Sequence, residues 1–300
     1  MPLSRRVILK QRQRARRTLL VSYLGYGTSS EVHMRGRVLQ DNGITVAKDT
    51  DPIWINIRNM IKRYAQRGVP NASVRVRFQG IQKEVSTDLN GYFELYFKLE
   101  PPLESQDTWF DVEFDLLDYP GQQPKPADEI HIVGKALIPS GGAQFGVISD
   151  IDDTVLRTDI GHVIHMITTT FFHNARTRLP FEGVAAFYDA LRVGTVGGAS
   201  NPIYYVSSSP WNLYDLIVDF FVIRGIPIGP LFLIDLGFRN GRFHMPSHYD
   251  HKISVIQQLL DTNSKLNFIL IGDSGQKDAE IYLEVVRKNP GRIRTIYIRD

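Results

Sequence analysis

The sequence predicts an α/β protein in which a β-rich, sandwich-like domain precedes a parallel sheet covered by helices on both faces. The first half alternates apolar and polar residues, whereas the second half alternates short apolar runs with helical patterns. Alternation with a period of two indicates half-buried strands, and uninterrupted apolar runs indicate strands buried on both faces. A turn-rich stretch at residues 139–143 separates the halves. We therefore predict one domain over residues 1–140 and a second over residues 145–300.

The strands predicted in the first domain have the pattern of an antiparallel sheet. They lie at residues 32–38, 73–78 and 92–97, with further strands near residues 109–117 and 129–137. Asn90 and Gly91 directly precede one of these segments. Because both residue types tolerate positive φ, an Asn-Gly pair indicates a hairpin. Together these patterns predict a small antiparallel β-sandwich.

The first domain also carries basic charge in two places. An N-terminal arm contains Arg5, Arg6, Lys10, Arg12, Arg14, Arg16 and Arg17. Such an arm can contact anionic lipid or nucleic acid, but a solvated, partly disordered arm is the more common outcome. Residues 52–66 predict a basic amphipathic helix, with Asp51 as its cap and Pro52 at its first position. Its apolar face can lie on a membrane or, more commonly, pack on the sheet.

The second domain alternates strands and helices. The strands are predicted at residues 145–149, 203–207, 231–234, 268–271 and 293–298, and the helices at residues 183–192, 211–224, 251–260 and 277–288. Gly225 and Pro227 end the second of these helices, because glycine favours the left-handed cap and proline cannot continue a helix. This alternation predicts a parallel, doubly wound, Rossmann-like sheet, whose ligands bind beyond the carboxyl ends of the strands.

Composition excludes several classes of site. The chain has no cysteine, which excludes disulfides, zinc–thiolate centres and cysteine nucleophiles, and which suits a reducing compartment. The net charge of +3 is too small to indicate nucleic acid binding. No apolar run approaches the ~20 residues of a membrane span, and no signal peptide is recognisable. We therefore expect a soluble, cytoplasmic protein.

Polar residues gather where the predicted strands end. These residues are Asp150 and Asp152 after the first strand, Ser207 and Ser208 at the end of the second, Asp273 and Asp278 after the fourth, and Lys252 at the start of the intervening helix. Since the carboxyl ends of parallel strands meet at one edge of a sheet, we expect these side chains to lie together.

Their chemistry suits phosphoryl transfer. The Asp150 carboxylate can attack phosphorus and form an acyl-phosphate. Asp152 can protonate the departing alkoxide and later deprotonate the attacking water. Ser207 and Ser208 can bind phosphate oxygens, and Lys252 can neutralise their charge. Clustered carboxylates near a phosphate suit magnesium, and the predicted Mg²⁺ ligands are Asp150, Asp152, Asp273 and Asp278.

The order of these residues resembles the motifs of the haloacid dehalogenase superfamily. The matching positions are residues 150–155 (DIDDTV) for the first motif, Ser207 for the second, Lys252 for the third, and Gly272-Asp273 with Asp278 for the fourth. The resemblance implies a phosphatase, because dehalogenases of the superfamily lack the second aspartate, here Asp152. It also implies a small cap. Residues 161–180 occupy the cap position and combine apolar residues with Arg176 and Arg178.

A narrower resemblance is to the actin-patch-associated phosphatidate phosphatase family. It is carried by residues 181–184, 205–213, 251–252 and 271–278. This resemblance implies Mg²⁺-dependent conversion of phosphatidate to diacylglycerol, with peripheral contact to an anionic membrane. Two alternatives remain open at this point. One is a soluble phosphomonoesterase for a sugar phosphate, nucleotide or phosphoprotein, and the other is a non-catalytic module that binds lipid or protein.

Overall fold

The computed structural model describes residues 12–15, 18–40, 67–119, 130–151, 183–195, 200–235, 237–239, 242–244, 247–274 and 277–299. The strands that precede residue 140 are β1 (Arg12–Ala15), β2 (Thr18–Ser22), β3 (Gly25–Gly27), β4 (Glu31–Gln40), β5 (Ser73–Phe78), β6 (Ile81–Ser86), β7 (Tyr92–Lys98), β8 (Trp109–Asp118) and β9 (Ile130–Leu137). They belong to a β-rich sheet with the order β1-β2-β4-β3-β9-β8-β5-β6, in which β7 also pairs with β4.

The strands that follow residue 140 build a parallel sheet. They are β10 (Gly146–Asp150), β11 (Ile203–Pro210), β12 (Leu231–Ile234), β15 (Phe268–Asp273) and β16 (Ile293–Arg299), in the order β12-β11-β10-β15-β16. The short strands β13 (Gly237–Arg239) and β14 (Arg242–His244) pair with each other. The helices are α1 (Val184–Val193), α2 (Tyr214–Arg224), α3 (His248–Thr262) and α4 (Asp278–Lys288), with a 3₁₀ turn at Trp211–Leu213 before α2.

Helices cover both faces of the parallel sheet. Val147 of β10 is buried in one core with residues of α1 and α2, whereas its neighbour Ile148 is buried in another with residues of α3 and α4. Gly225 ends α2 in the left-handed conformation, at φ 68°. The predicted parallel α/β arrangement is therefore confirmed. The small cap predicted at residues 161–180 lies outside the described residues.

The β-rich sheet folds over so that its strands face one another across a common core. Phe78 of β5 lies against Phe97 of β7, with ring centroids 5.7 Å apart, and Phe114 of β8 lies against Phe93, at 6.1 Å. The predicted β-rich, antiparallel character of this half is confirmed. The strands β1 to β9 belong to one hydrogen-bonded sheet, in which β3 and β9 form a parallel pair.

One local prediction needs correction. The Asn90-Gly91 turn does not connect paired strands, because β6 pairs with β5 while β7 pairs with β4. Asp88 accepts hydrogen bonds from the backbone N–H groups of Asn90 and Tyr92, so the turn sends the chain across the core instead. Residues 12–15 of the basic arm form β1, which pairs with β2 in an antiparallel ladder. The amphipathic helix predicted at residues 52–66 lies outside the described residues.

The β-rich sheet and the parallel sheet share buried surface. Leu19, Val21 and Tyr23 are buried in the same cluster as Trp211 and Tyr214. The Leu24 backbone N–H donates to the Tyr214 hydroxyl at 3.0 Å, which adds a polar contact to this interface. Among the described residues, no helix is long and apolar enough to cross a membrane.

Candidate active site

The site begins where the order of the parallel sheet reverses. From β10 the chain continues to β11 and β12 on one side, and then crosses to β15 and β16 on the other. Neighbouring connections diverge at such a point and leave a crevice beyond the strand ends. Asp150 is the last residue of β10 and Asp273 the last of β15, so a carboxylate lies on each side of this crevice.

Lys252 of α3 reaches into this crevice and joins two carboxylates. Its Nζ lies 2.8 Å from Asp150 Oδ1 and 2.5 Å from Asp278 Oδ1. All three side chains are nearly inaccessible, with at most 3% exposed. Burial alone would lower the pKa of Lys252, but the Asp150 and Asp278 carboxylates outweigh it and raise the pKa. Lys252 is therefore a fixed positive charge at neutral pH.

The carboxylates of Asp150, Asp273 and Asp278 form a cluster with the chemistry of a cation site. Within the described residues, one oxygen from each lies within 4.8 Å of the others. Ligands on opposite sides of a Mg²⁺ ion are about 4 Å apart at its usual bond lengths, so small shifts would bring the three oxygens into its shell. Oxygen donors are also the ligands that magnesium prefers. The donor chemistry and the spacing of these three carboxylates therefore fit a bound Mg²⁺ ion.

Gly272 leaves room for Asp278 beside β15. A Cβ atom added at Gly272 would lie 2.3 Å from Asp278 Oδ2 and 2.7 Å from its Cβ, which are distances that real atoms do not adopt. The Asp273 backbone N–H also donates to Asp278 Oδ2 at 3.1 Å. The backbone at the end of β15 therefore holds Asp278 Oδ2 in place, while Lys252 donates to Asp278 Oδ1.

The predicted phosphate-binding serines lie at the end of the neighbouring strand. Asp150 pairs with Val206 in the parallel ladder, which places Ser207 just beyond it. Ser207 is fully buried, and its Oγ accepts a hydrogen bond from the Ser209 backbone N–H at 2.9 Å. Ser208 is hydrogen-bonded to His248 of α3.

Sequence reasoning missed some neighbours of the site. His248 precedes Lys252 by one helical turn, and that i, i+4 spacing is the signal that could have identified it. Tyr188 of α1 is hydrogen-bonded to Ser149, the residue before Asp150, at 2.6 Å. Burial raises the pKa of Tyr188, so it remains a neutral phenol that supports the end of β10. A single isolated tyrosine in a helical pattern gave no signal of this contact.

The structure brings together most of the predicted site. Asp150, Lys252, Asp273 and Asp278 converge, and Ser207 with Ser208 lie at the adjoining strand end. Asp152 lies outside the described residues, so its proton-transfer and metal-binding roles stay predictions. The roles of the converging residues likewise remain predictions, because proximity alone does not assign them.

A cavity of about 290 Å³ lies apart from these carboxylates, between the β-rich sheet and β12. Its lining includes Tyr26, His33, Tyr96, Phe232, His251 and Gln258. The carboxylate cluster contributes none of its described lining residues. The cavity therefore belongs to the interface between the sheets and not to the crevice at the strand ends.

Comparison with known protein families identifies the family to which the segment containing this crevice belongs. Residues 145–300 match the family described as "Phosphatidate phosphatase APP1, catalytic domain", and this segment is more than half of the chain. The chain belongs to this family. The APP1 match contains the whole parallel sheet and the carboxylate cluster, whereas the strands β1 to β9 precede it.

Two curated proteins are similar to the chain over different lengths. Phosphatidate phosphatase APP1 of Saccharomyces cerevisiae is 34% identical over 155 residues, which are 51% of this chain and 25% of the yeast protein. An uncharacterized protein of Schizosaccharomyces pombe is 27% identical over 247 residues, which are 78% of this chain and 39% of that protein. The chain thus spans about a quarter to two fifths of the curated relatives it matches.

Solved structures give only distant similarity. A carbohydrate acetylesterase from Xanthomonas citri is 10% identical, with a TM-score of 0.30, over 90% of this chain and 65% of that one. Likeness at this level carries no argument about the fold or function of this APP1-family chain.

Proposed function

We propose that this chain is a Mg²⁺-dependent phosphatase with a haloacid dehalogenase-type site, and that it converts phosphatidate to diacylglycerol through an aspartyl-phosphate on Asp150. The observation that carries the proposal is the buried Lys252 bound to Asp150 and Asp278 at the crevice of the parallel sheet. Membership of the APP1 family, and the name of the yeast relative, support phosphatidate as the substrate.

The proposed reaction has two displacements at phosphorus. In the first, a carboxylate oxygen of Asp150 attacks phosphorus, the bond to the glycerol oxygen breaks, and Asp152 donates its proton to the departing alkoxide. In the second, Asp152 takes a proton from water as the water oxygen attacks phosphorus. The acyl-phosphate bond then breaks, inorganic phosphate leaves, and Asp150 is a carboxylate again.

The remaining residues stabilise charge in this scheme. Lys252 contacts the Asp150 carboxylate at 2.8 Å, which holds the nucleophile in place and supplies positive charge near the entering phosphate. Ser207 and Ser208 directly follow Val206, the residue of β11 that pairs with Asp150, and would bind the non-bridging oxygens. Asp150, Asp273 and Asp278 would hold the Mg²⁺ ion, whose chemical contribution is to neutralise negative charge on carboxylates and phosphate.

Substrate identity is tested by phosphate release from a defined panel. Phosphatidate in mixed micelles, phosphatidate in vesicles, short-chain soluble phosphatidate, a sugar phosphate and a nucleotide are compared at equal phosphate concentration, with and without Mg²⁺. We expect Mg²⁺-dependent release that is fastest with phosphatidate. Turnover of soluble phosphomonoesters alone would instead favour the soluble phosphomonoesterase. Vesicle binding without release in any arm would favour a binding module.

Metal replacement should separate magnesium from calcium. After EDTA treatment, Mg²⁺ should restore phosphate release, whereas Ca²⁺ should not. Calcium takes more ligands at longer distances, which would disturb the alignment of Asp150 with the phosphate. The measurement is phosphate release against the concentration of each metal. Full activity in Ca²⁺ with Mg²⁺ removed would contradict this view of the carboxylate cluster.

Gly272→Ala should damage the carboxylate cluster. The new Cβ would overlap Asp278 Oδ2 and displace the carboxylate from Lys252. A displacement of about 1 Å at a reacting site can cost about 100-fold in rate, so we expect a loss of that order. The matched control is Gly141→Ala, where nothing lies within 4 Å of the added Cβ. Equal activity of the two variants would show that the position of Asp278 does not matter for turnover.

A further inference from the structure

The predicted phosphate-binding serines lie in a bulge of β11. Val206 pairs with Phe232 and Pro210 pairs with Ile234, so β11 places three residues between these pairs where β12 places one. The three residues are Ser207, Ser208 and Ser209. A bulge leaves ladder hydrogen bonds unformed and re-aims side chains, so its geometry depends on what holds its two ends.

Arg35 of β4 holds the far end of this bulge. Its Nη2 donates to both carboxylate oxygens of Asp235, at 2.6 and 2.7 Å, and its guanidinium lies over the Trp211 ring, 4.6 Å from the centroid. Trp211 directly follows Pro210 and Asp235 directly follows Ile234. The Arg35 guanidinium thus contacts both Trp211 and Asp235. These residues directly follow the Pro210–Ile234 pair at which the bulge ends.

Further contacts from the β-rich sheet fix the position of Arg35. Its guanidinium also lies 4.7 Å from the Tyr92 ring centroid, so the cation is stacked between two aromatic rings. Arg37 lies 4.3 Å from the centroid of the same Tyr92 ring and donates to Asn212 Oδ1 at 3.1 Å. Stacking of this kind stabilises a cation most where water is partly excluded, and the Arg35 side chain is only 22% exposed.

We propose that Arg35 is a positioning residue for phosphate binding, and that through it the β-rich sheet forms part of the active site. Arg35 acts by holding Trp211 and Asp235, which keeps Ser207 and Ser208 at the end of β11 in a binding geometry. The inference rests on the proposed function, because that function gives the serines their phosphate-binding role. Nothing in the APP1 match reaches Arg35, which precedes residue 145.

The test uses the full chain with inorganic phosphate as the probe. Arg35→Met removes the charge and the hydrogen-bond donors but keeps apolar bulk, whereas Arg35→Lys keeps the charge but lacks the planar guanidinium that stacks on the aromatic rings. We expect Arg35→Met to raise both the inhibition constant of orthophosphate and the KM about 10-fold or more, with a smaller change in kcat. Arg35→Lys should fall between Arg35→Met and the natural protein.

Matched variants keep the result interpretable. Arg75→Met is the control, because Arg75 also lies on the β-rich sheet and pairs with a carboxylate, Glu84, at 3.1 Å. Its strand β5 is separated from β4, the strand of Arg35, by β3, β9 and β8 in the sheet order. If Arg35→Met does not fold, Asp235→Asn tests the same contact from the carboxylate side. We expect Asp235→Asn also to raise the inhibition constant of orthophosphate. Thermal unfolding of each variant reports whether the fold is kept.

Each outcome distinguishes the positioning role from the proposed function. If the natural protein releases no phosphate from any substrate, the proposed function fails. If it turns over substrate but folded Arg35→Met and Asp235→Asn bind orthophosphate as tightly as the natural protein, the positioning role is overturned. A drop in kcat alone, with KM and the inhibition constant unchanged, would also overturn it, since that pattern indicates a lower fraction of active protein.

Discussion

Asp150→Asn is expected to abolish phosphate release while leaving the fold intact. An amide oxygen is a poor nucleophile, and the substitution also removes one of the carboxylates that would hold Mg²⁺. Removing a covalent nucleophile typically costs about 10⁴- to 10⁶-fold in kcat, because the remaining groups cannot replace the lost step. The fold should survive because Lys252 keeps its contact with Asp278 at 2.5 Å.

The measurement is phosphate release from phosphatidate, with circular dichroism and thermal unfolding of the same preparation. Mass spectrometry must confirm that the asparagine has not deamidated, since a trace of restored aspartate would imitate residual activity. Asp261→Asn is the matched control, because Asp261 is an exposed residue of α3 whose contact is a hydrogen bond from Gln257. Near-normal release by Asp150→Asn would refute the aspartyl-phosphate mechanism.

Lys252→Met should lower both activity and stability. The substitution leaves the Asp150 and Asp278 carboxylates, which are at most 3% exposed, without their shared ammonium. Breaking a buried ion pair in this way costs about 3–5 kcal/mol in the free energy of unfolding. Loss of a charge that stabilises the reacting phosphate should also reduce kcat by about 10²- to 10³-fold. Added Mg²⁺ should stabilise the variant more than the natural protein, because the cation then relieves the repulsion between carboxylates.

The pH dependence of this stability loss follows from the raised pKa of Lys252. A group with a folded-state pKa above its unfolded value contributes stability that is complete below the unfolded pKa and is lost as pH rises through the folded pKa. The difference in the free energy of unfolding between Lys252→Met and the natural protein should therefore be constant from about pH 6 to pH 9. Lys288→Met, which removes an exposed lysine paired with Glu284, provides the control. A variant as stable as that control would show that the buried contacts contribute little.

The parallel half of the fold was predictable because local signals agreed there. A strand such as β11 is buried along its whole length and so appears as an apolar run, and Gly225 marks a helix end at the expected place. The convergence of Asp150, Lys252, Asp273 and Asp278 was predictable for the same reason. Once parallel strands are recognised, their carboxyl ends must meet at one edge.

Pairing in the β-rich half was not predictable from such signals. Alternation locates strands such as β5 and β7 but does not choose their partners, and β3 is only three residues long. The Asn90-Gly91 pair indicated a turn correctly and a hairpin wrongly, because partner choice depended on the distant strand β4. The contact between Arg35 and Asp235 joins residues 200 positions apart, so no local pattern could reveal it.

The buried surface between the sheets also affects the order in which the protein can mature. Tyr23 emerges from the ribosome before the side chains that cover it, Trp211 and Tyr214, which are made roughly 190 residues later. At about 5–20 residues per second, this delay lasts about 10 to 40 s. During that interval Leu19, Val21 and Tyr23 lack these partners, and a newly made β-rich half exposes apolar surface to chaperones. The half that contains the parallel sheet then completes its core against surface that was synthesised earlier.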